Sequence, residues 1–448
     1  MNYYKGIHFY ININNFEDIV DDEESKQKKL SHSIHLLNSY FSGIERYART
    51  NCNNVEIEKI TSGRIHLYTT GSVEETLKDV LKIICFAYEF SKQIMRVGKY
   101  NSLLDMVISV GASYGAFFAV DMKLDAETNE FTSIGFACNY AAKLQSAAGN
   151  GVFAFDDDIF KGCSQLKLAC YSRENKVFYA KYGQGEYYVA NLSSLMHLPF
   201  IRESSINSFI DDQISDLNSK LLGDMTFTDT NKNLNFDSLS LNDGRKFVGV
   251  PFYSDVRNFT SKFNSADANL TEMASKVMFL MKTAFDIVNS NGGTHVQFQG
   301  DREFAVFVIS ENNADTLVNP IIAGLRMIDA VQTSVGLKVG IGISFGKLHA
   351  TRVGIRNSKD NLLIGRVVNG ANTLEDSCAG DNQIAISSNL FKQLKANGQN
   401  DLCSIFKKHN DEVYITSCGY KNYLSIVQKN KLEKANSSNS YNGAWRSK

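Results

Sequence analysis

Proline is almost missing from this chain: three residues in 448, with a single tryptophan and eight histidines. So little proline excludes polyproline segments and proline-stiffened linkers. Charge of one sign is also lacking, since 47 Lys and Arg face 48 Asp and Glu for a net charge of -1. Recognition of nucleic acid or an anionic membrane by bulk charge is thereby excluded, and partners must be recognised locally. Eight cysteines are present (Cys52, Cys85, Cys138, Cys163, Cys170, Cys378, Cys403, Cys418), but none forms a Cys-x-x-Cys pair or has a histidine pair nearby. Structural zinc and thioredoxin-like redox chemistry thus lack support, and the thiols read as reduced. His8, His66, His295 and His349 show no ligand-like spacing either. No apolar run of about 20 residues occurs, and Met1 to Phe9 enters a strand-like run without a basic and then apolar leader, so a membrane span is not expected and a cytosolic location is. What remains, 43% hydrophobic and 21% charged, is the composition of a globular protein of two or three domains.

The chain reads itself twice. Gly6-Ile-His-Phe-Tyr-Ile-Asn12-Ile-Asn-Asn-Phe16 matches Gly249-Val-Pro-Phe-Tyr-Ser-Asp255-Val-Arg-Asn-Phe259; Val110-Gly-Ala-Ser-Tyr-Gly115 matches Ile341-Gly-Ile-Ser-Phe-Gly346; and Ile134-Gly-Phe-Ala-Cys-Asn139 matches Ile364-Gly-Arg-Val-Val-Asn369. Three blocks in one order, at a period too long for a solenoid, indicate two homologous domains. Each copy predicts a strand, an amphipathic helix (Ser31 to Arg49, Leu270 to Asn289), a hairpin with a glycine in its turn (Gly63, Gly300), a second helix, a Gly-bearing strand, an Asn-bearing helix and a strand ending near Phe155 or Ser387. Hairpins with helices on one face indicate an α+β fold. The expected division is 1–201, a connector 202–245 with a short helix from Ile206 to Leu222, 246–428, and a polar, frayed tail 429–448.

In the second copy Asp255 ends the first strand and Asp301 occupies the hairpin tip, Gln299-Gly300-Asp301-Arg302. If those strands are neighbours, two carboxylates converge as a pair of divalent ions requires. Val256-Arg257-Asn258-Phe259-Thr260 then begins a turn whose backbone N–H groups can cradle a polyphosphate. The plain alternative is that Asp255 caps a helix and Asp301 fills a turn.

Phe-Tyr-Ser-Asp255-Val-Arg-Asn-Phe-Thr260, Gln-Gly-Asp301, Ile-Gly-Ile-Ser-Phe-Gly346 and Ile-Gly-x-x-Val-Asn369-x-Ala together resemble the class III nucleotidyl cyclase domain. The resemblance implies two ferredoxin-like, palm-type domains packed head to tail within one chain, which supplies its own dimer interface. It implies two Mg²⁺ or Mn²⁺ ions on Asp255, Asp301 and the carbonyl of Val256, phosphate contacts from Arg257, Asn258, Phe259 and Thr260, and an Asn and a cation from the other domain acting on the ribose and α-phosphate of a nucleoside triphosphate. The copies are damaged in complementary ways. Asn12 stands for Asp255 and Arg64 for Asp301, so the first copy cannot hold the ions, yet its Asn139 and Lys143 are whole; the second copy has Thr373 where the cation belongs. One complete site per chain is expected, in which Lys143 supplies the point charge of the family's usual arginine without its bidentate geometry.

The family reads its base three residues before the hairpin glycine and seven before the Asn, here Ile60 and Thr132. Neither the adenylate nor the guanylate pair is present. A one-residue shift in the hairpin would bring Lys59 into the pocket instead and restore an adenine-like reader. A neutral pocket in a cyclase without sensor modules resembles the pyrimidine cyclases of Pycsar antiphage systems, whose cyclic CMP or cyclic UMP activates a separate effector; CTP is the leading expectation, UTP the second. Adenylate cyclisation and an inactive nucleotide-binding sensor remain open, as does a diguanylate cyclase, whose Gly-Gly-Asp-Glu-Phe turn Gln-Gly-Asp301-Arg-Glu303-Phe resembles. Lys338 and Arg302 are secondary candidates for the triphosphate, and Pro251 inside the first strand requires a bulge or an edge exposure.

Overall fold

The computed structural model of the chain describes residues 1–26, 30–126, 128–162, 170–173, 187–219, 225–241, 243–257, 269–310, 315–355 and 358–443. The front half contains strands β1 (Asn2–Ile13), β2 (Val55–Thr61), β3 (Arg64–Thr69), β4 (Ile108–Lys123), β5 (Asn129–Gly135), β6 (Val152–Phe155), β7 (Cys170–Arg173) and β8 (Tyr187–Asn191). The back half contains β9 (Thr226–Asp229), β10 (Asp243–Val256), β11 (Thr294–Gln299), β12 (Arg302–Val308), β13 (Val339–Ile343), β14 (Gly346–Ile355), β15 (Ser358–Ile364), β16 (Gln383–Ser387), β17 (Lys407–Lys408) and β18 (Val413–Thr416). Sheet order is β2-β3-β1-β4-β6-β8-β7 in the front and β11-β12-β10-β13-β16-β18-β17 in the back. The sequence repeat is thus a repeat of topology along the main path of each sheet, with β4 of the front answered by β13 and β14 in the back and β9 added beside β10, and the fold is the expected α+β pair.

Alternation along the strands sorts the faces. Ile7, Phe9, Ile11 and Ile13 of β1 pack with helices α2 (Ser31–Asn51) and α3 (Val73–Ile94), while His8, Tyr10 and Asn12 face the other way. A connector helix, Glu203–Ser219, buries Ile206 and Ile210 in the same core. Helices Leu270–Ser290 and Asp315–Val335 cover the back sheet.

What joins the halves is a reciprocal exchange of hairpins. Phe118, Val120, Met122 and Leu124 of the β4–β5 segment, with Ile134, enter the core of the back half beside Leu280 and Phe298. Val353, Leu362 and Ile364 of β14–β15 enter the core of the front half. Burying a side chain of this size contributes roughly 1.5–3 kcal/mol, so eight of them outweigh any exposed ion pair between the halves. The two halves are packed head to tail.

Pro251 falls where its missing N–H is not needed. β10 pairs with β13 from Phe252 onward and with β14 up to Gly249, and Pro251 lies opposite the break between those strands. His8 holds this position in the front half, where β4 runs unbroken past β1.

Candidate active site

Asp255 is the penultimate residue of β10, and Asp301 forms a two-residue turn with Gly300 between β11 and β12. β12 lies directly beside β10, so the turn is delivered to the end of the strand that bears Asp255. The Asp301 carboxyl is pushed well above the usual carboxylate range, first by burial and then by the negative charge of Asp255. Two acids that oppose each other's ionisation, with the strand-end Val256 next in the chain, form an oxygen-donor set suited to hard divalent ions.

The front half reaches the turn of these acids. Helix α4 (Phe136–Ala147) carries Asn139 and, one turn later, Lys143. Asn139 touches the turn of the acids: a Cβ built on Gly300 would lie 2.8 Å from Asn139 Oδ1. Gly300 has φ +70°, the left-handed region that favours glycine. α4 is seated by another glycine, since a Cβ on Gly111 of β4 would meet the backbone N of Gln145 at 2.0 Å. The corresponding Gly342 receives the helix Arg366–Thr373 in the same way, at 2.1 Å from the carbonyl of Ala371. The repeated glycine of the sequence is therefore the place where the Asn-bearing helix lies on its sheet.

Arg257 corrects one expectation. Its backbone N–H donates to the carbonyl of Lys338 at 2.7 Å, and its guanidinium turns back into its own half, bonding the carbonyls of Glu375 and Ala379 and pairing with the Glu375 carboxylate at 2.7 Å. It also stands 3.6 Å from Asp255 Oδ2, so it neighbours the acids rather than facing phosphate. Asn258, Phe259 and Thr260 lie outside the described residues. Arg302 is likewise engaged, with Glu375 at 2.5 Å and Asn372, and Lys338 pairs with Asp381 at 2.9 Å on the surface.

Strand register corrects the hairpin of the front half as well. Thr61 pairs with Arg64 across the turn Ser62-Gly63, as Gln299 pairs with Arg302 across Gly300-Asp301. Gly63 therefore stands where Asp301 does, and Arg64 corresponds to Arg302. Both guanidiniums lie 5.6 Å from a tyrosine ring, Tyr10 and Tyr253 respectively. The front half still cannot hold the ion pair, but because it lacks a ligand, not because a cation is in the way. Asn12 instead donates to Asn14 Oδ1 at 2.7 Å, within a chain of amides that runs on to Asn150. The second interface site, bounded by Phe16, Glu17, Ser62, Gly365 and Arg366, has no acid at Asn12 or Gly63 and no cation at Thr373.

The same register moves the base-reading position. Counted from Ser62, the counterpart of Gly300, it is Lys59 rather than Ile60. Ile60 packs in the front core and its N–H donates to Asp360 Oδ2 at 2.8 Å, so its side chain is unavailable to a base. Lys59 is buried between the halves, donating to Glu130 at 2.9 Å and to the carbonyl of Phe298 at 2.7 Å. Glu130 also accepts from the N–H of Phe298 and pairs with His295, whose other nitrogen meets Glu303. Burial favours neutral His295, but the two carboxylates outweigh it and hold the ring protonated to about 10. Thr132 is fully buried, and its hydroxyl has no hydrogen-bond partner among the described residues.

Residues 245–424 match the adenylate and guanylate cyclase catalytic domain family. A uridylate cyclase of Burkholderia cepacia is 27% identical over 157 residues, covering 33% of this chain and 68% of that relative. The crystal structure of a class III adenylyl cyclase-like ATP-binding protein from Pseudomonas aeruginosa superposes with a TM-score of 0.72 over 95% of this chain and 90% of that one, at 14% identity, which establishes a shared fold across both halves. By its catalytic-domain match the back half carries a class III nucleotidyl cyclase domain, and the fold of the paired halves is shared with the adenylyl cyclase-like protein.

Proposed function

We propose that this chain converts a pyrimidine nucleoside triphosphate to its 3′,5′-cyclic monophosphate and pyrophosphate at one composite site. The observation that supports this reading is the contact of Asn139 with the Gly300-Asp301 turn, which sets the Asn-bearing helix of one half against the turn of the other half's acids. Asp255, Asp301 and the Val256 carbonyl would hold two Mg²⁺ or Mn²⁺ ions, which lower the pKa of the 3′-hydroxyl and neutralise the phosphates. Asn139 would orient the ribose, and Lys143 would offset charge that grows at the α-phosphate in the transition state.

The pyrimidine preference is supported by the similarity to a uridylate cyclase, whereas Lys59 at the base-reading position is the adenylate-type residue and favours the alternative, adenylate cyclisation. With two of its three N–H groups committed, Lys59 has one donor left for a small base, and the Thr132 hydroxyl can donate or accept. UTP takes first place over the CTP favoured by the sequence, because a uracil O4 accepts from Lys59 where cytosine presents a donor. The product would act as a messenger to a separately encoded effector, in keeping with an antiphage role.

The test is incubation with each of the four NTPs and Mn²⁺, with the product identified by mass. Cyclic UMP or cyclic CMP is expected, with Asp255→Ala and Asp301→Ala reducing turnover by roughly 10³-fold or more and Asn12→Ala leaving it within about twofold. Cyclic AMP as the main product would reject the pyrimidine reading, and no product from any nucleotide would reject the enzyme.

A further inference from the structure

Each half grips the other with an acid at an equivalent place. Glu130 of β5 lies opposite Met122 in the β4–β5 hairpin, as Asp360 of β15 lies opposite Val353 in the β14–β15 hairpin, and each precedes its matched glycine, Gly135 or Gly365, by the same spacing. Glu130 Oε1 accepts from the N–H of Phe298 at 2.7 Å, and Asp360 Oδ2 accepts from the N–H of Ile60 at 2.8 Å. Phe298 and Ile60 are themselves counterparts, each standing just before the residue that closes its hairpin turn. Docking one half on the other thus uses one bond from a carboxylate to a backbone amide, and Asp360 shows that an aspartate is long enough to make it.

Glu130 does more than dock. The same Oε1 lies 2.9 Å from Lys59 Nζ, and Oε2 meets His295 Nε2 at 2.6 Å. His295 is braced from behind by Glu303 at 2.8 Å, so neither oxygen of Glu130 is free to swing. The Lys59 ammonium donates also to the Phe298 carbonyl at 2.7 Å, which makes Phe298 a partner of Glu130 through its N–H and of Lys59 through its C=O. At the equivalent place in the back half stands Gln297 instead of a lysine, and Asp360 holds Ile60 by its one hydrogen bond among the described residues. The additional bonds of Glu130 are therefore surplus to docking, and one of them acts on Lys59.

A lysine left to itself carries a rotatable ammonium on a flexible stem and can follow whichever acceptor a base presents. With its ammonium held at two points it offers one N–H in one direction, and discrimination between bases rests on donors placed in that way. We infer that Glu130 is a positioning residue that sets base selectivity by pinning Lys59 to the back-half strand that leads into Gly300-Asp301. The inference rests on the composite site proposed above. Phe298 lies two residues before Gly300, so the base reader of one half is fixed relative to the metal-binding turn of the other.

The experiment is Glu130→Asp in the full chain. The shorter acid should keep the bond to the Phe298 N–H, as Asp360 does for Ile60, and release Lys59 and His295. With Mn²⁺, the ratio of kcat/KM between the preferred nucleotide and the next among UTP, CTP, ATP and GTP should fall by about tenfold or more, through KM, because a base contact acts in ground and transition states alike. A loosened interface would instead lower all four together. Ratios within about twofold of the unmodified chain, or a Glu130→Asp chain that does not fold, would overturn the role of Glu130 and leave the cyclase reading standing. A second measurement needs neither turnover nor that variant. In the unmodified chain labelled with ¹⁵N-lysine, Lys59 should give a slowly exchanging ammonium signal, identified by its absence from Lys59→Arg, that shifts with a nucleoside triphosphate and Ca²⁺ but not with inorganic triphosphate and Ca²⁺. A rapidly exchanging ammonium, or the same response to both ligands, would overturn the pinning. A base-dependent shift in a chain that cyclises none of the four nucleotides would reject the cyclase reading and keep the pinning.

Discussion

A carboxyl group that keeps its proton near neutrality must release it before it can bind a cation. Asp301 is such a group, raised by burial and by Asp255, so filling the metal site should displace a proton. The sign follows: apparent Mn²⁺ affinity rises from mildly acidic to mildly alkaline pH, and calorimetry in buffers of different ionisation enthalpy should detect the released proton. Affinity unchanged across that range would contradict the coupling. Lys59 makes a second residue-scale prediction. Lys59→Ala strands Glu130 between the halves with His295 as its remaining charged partner, and breaking a buried pair costs about 3–5 kcal/mol, readable by urea denaturation. An effect within about 0.5 kcal/mol would show that the pair is solvated. Residues of this kind were unevenly legible in the sequence. Asp255, Asp301, Asn139 and Lys143 stand out because their chemistry needs those residue types at strand and turn ends. Glu130, His295 and Glu303 carry no local signal, since their partnership exists only once two chain segments 165 residues apart are packed together.

The hairpin turns show what an element adds to its residues. Counting glycines aligned Gly63 with Gly300 and thus Arg64 with Asp301 and Ile60 with the base reader; strand pairing shifts all three by one, because a two-residue turn is fixed by its flanking pairs and not by which of its residues is glycine. The front turn reaches its conformation with Ser62 at φ 48°, so its glycine sits one position later. Gly300→Ala tests the turn of the site directly. The strained backbone should lower stability by about 1 kcal/mol, while the new methyl displaces Asn139 and lowers turnover by about tenfold or more. A turnover loss no larger than that of an alanine placed elsewhere in the turn would mean that Asn139 has room to spare. Pro251 was legible as a demand for a bulge or an exposed edge; the structure meets the proline's need differently, with a gap between the neighbouring strands β13 and β14, which depends on residues far along the chain.

Over the whole molecule, the repeat announced two domains of one topology, and the complementary losses are the ground on which a single site is proposed. The hairpin exchange that binds the halves was not visible, since Phe118, Val120 and Met122 read as ordinary strand residues until the opposing core is present. Because both contributors to the site belong to one chain, turnover per chain should stay constant over a wide dilution series. A steep fall at low concentration would mean that the acids of one molecule are served by the Asn139 and Lys143 of another. Cyclases assembled from two separate copies make product in proportion to the square of their abundance when dimers are scarce. A chain whose two halves exchange hairpins escapes that law: its output of product would scale linearly with the number of molecules translated, down to a handful per cell.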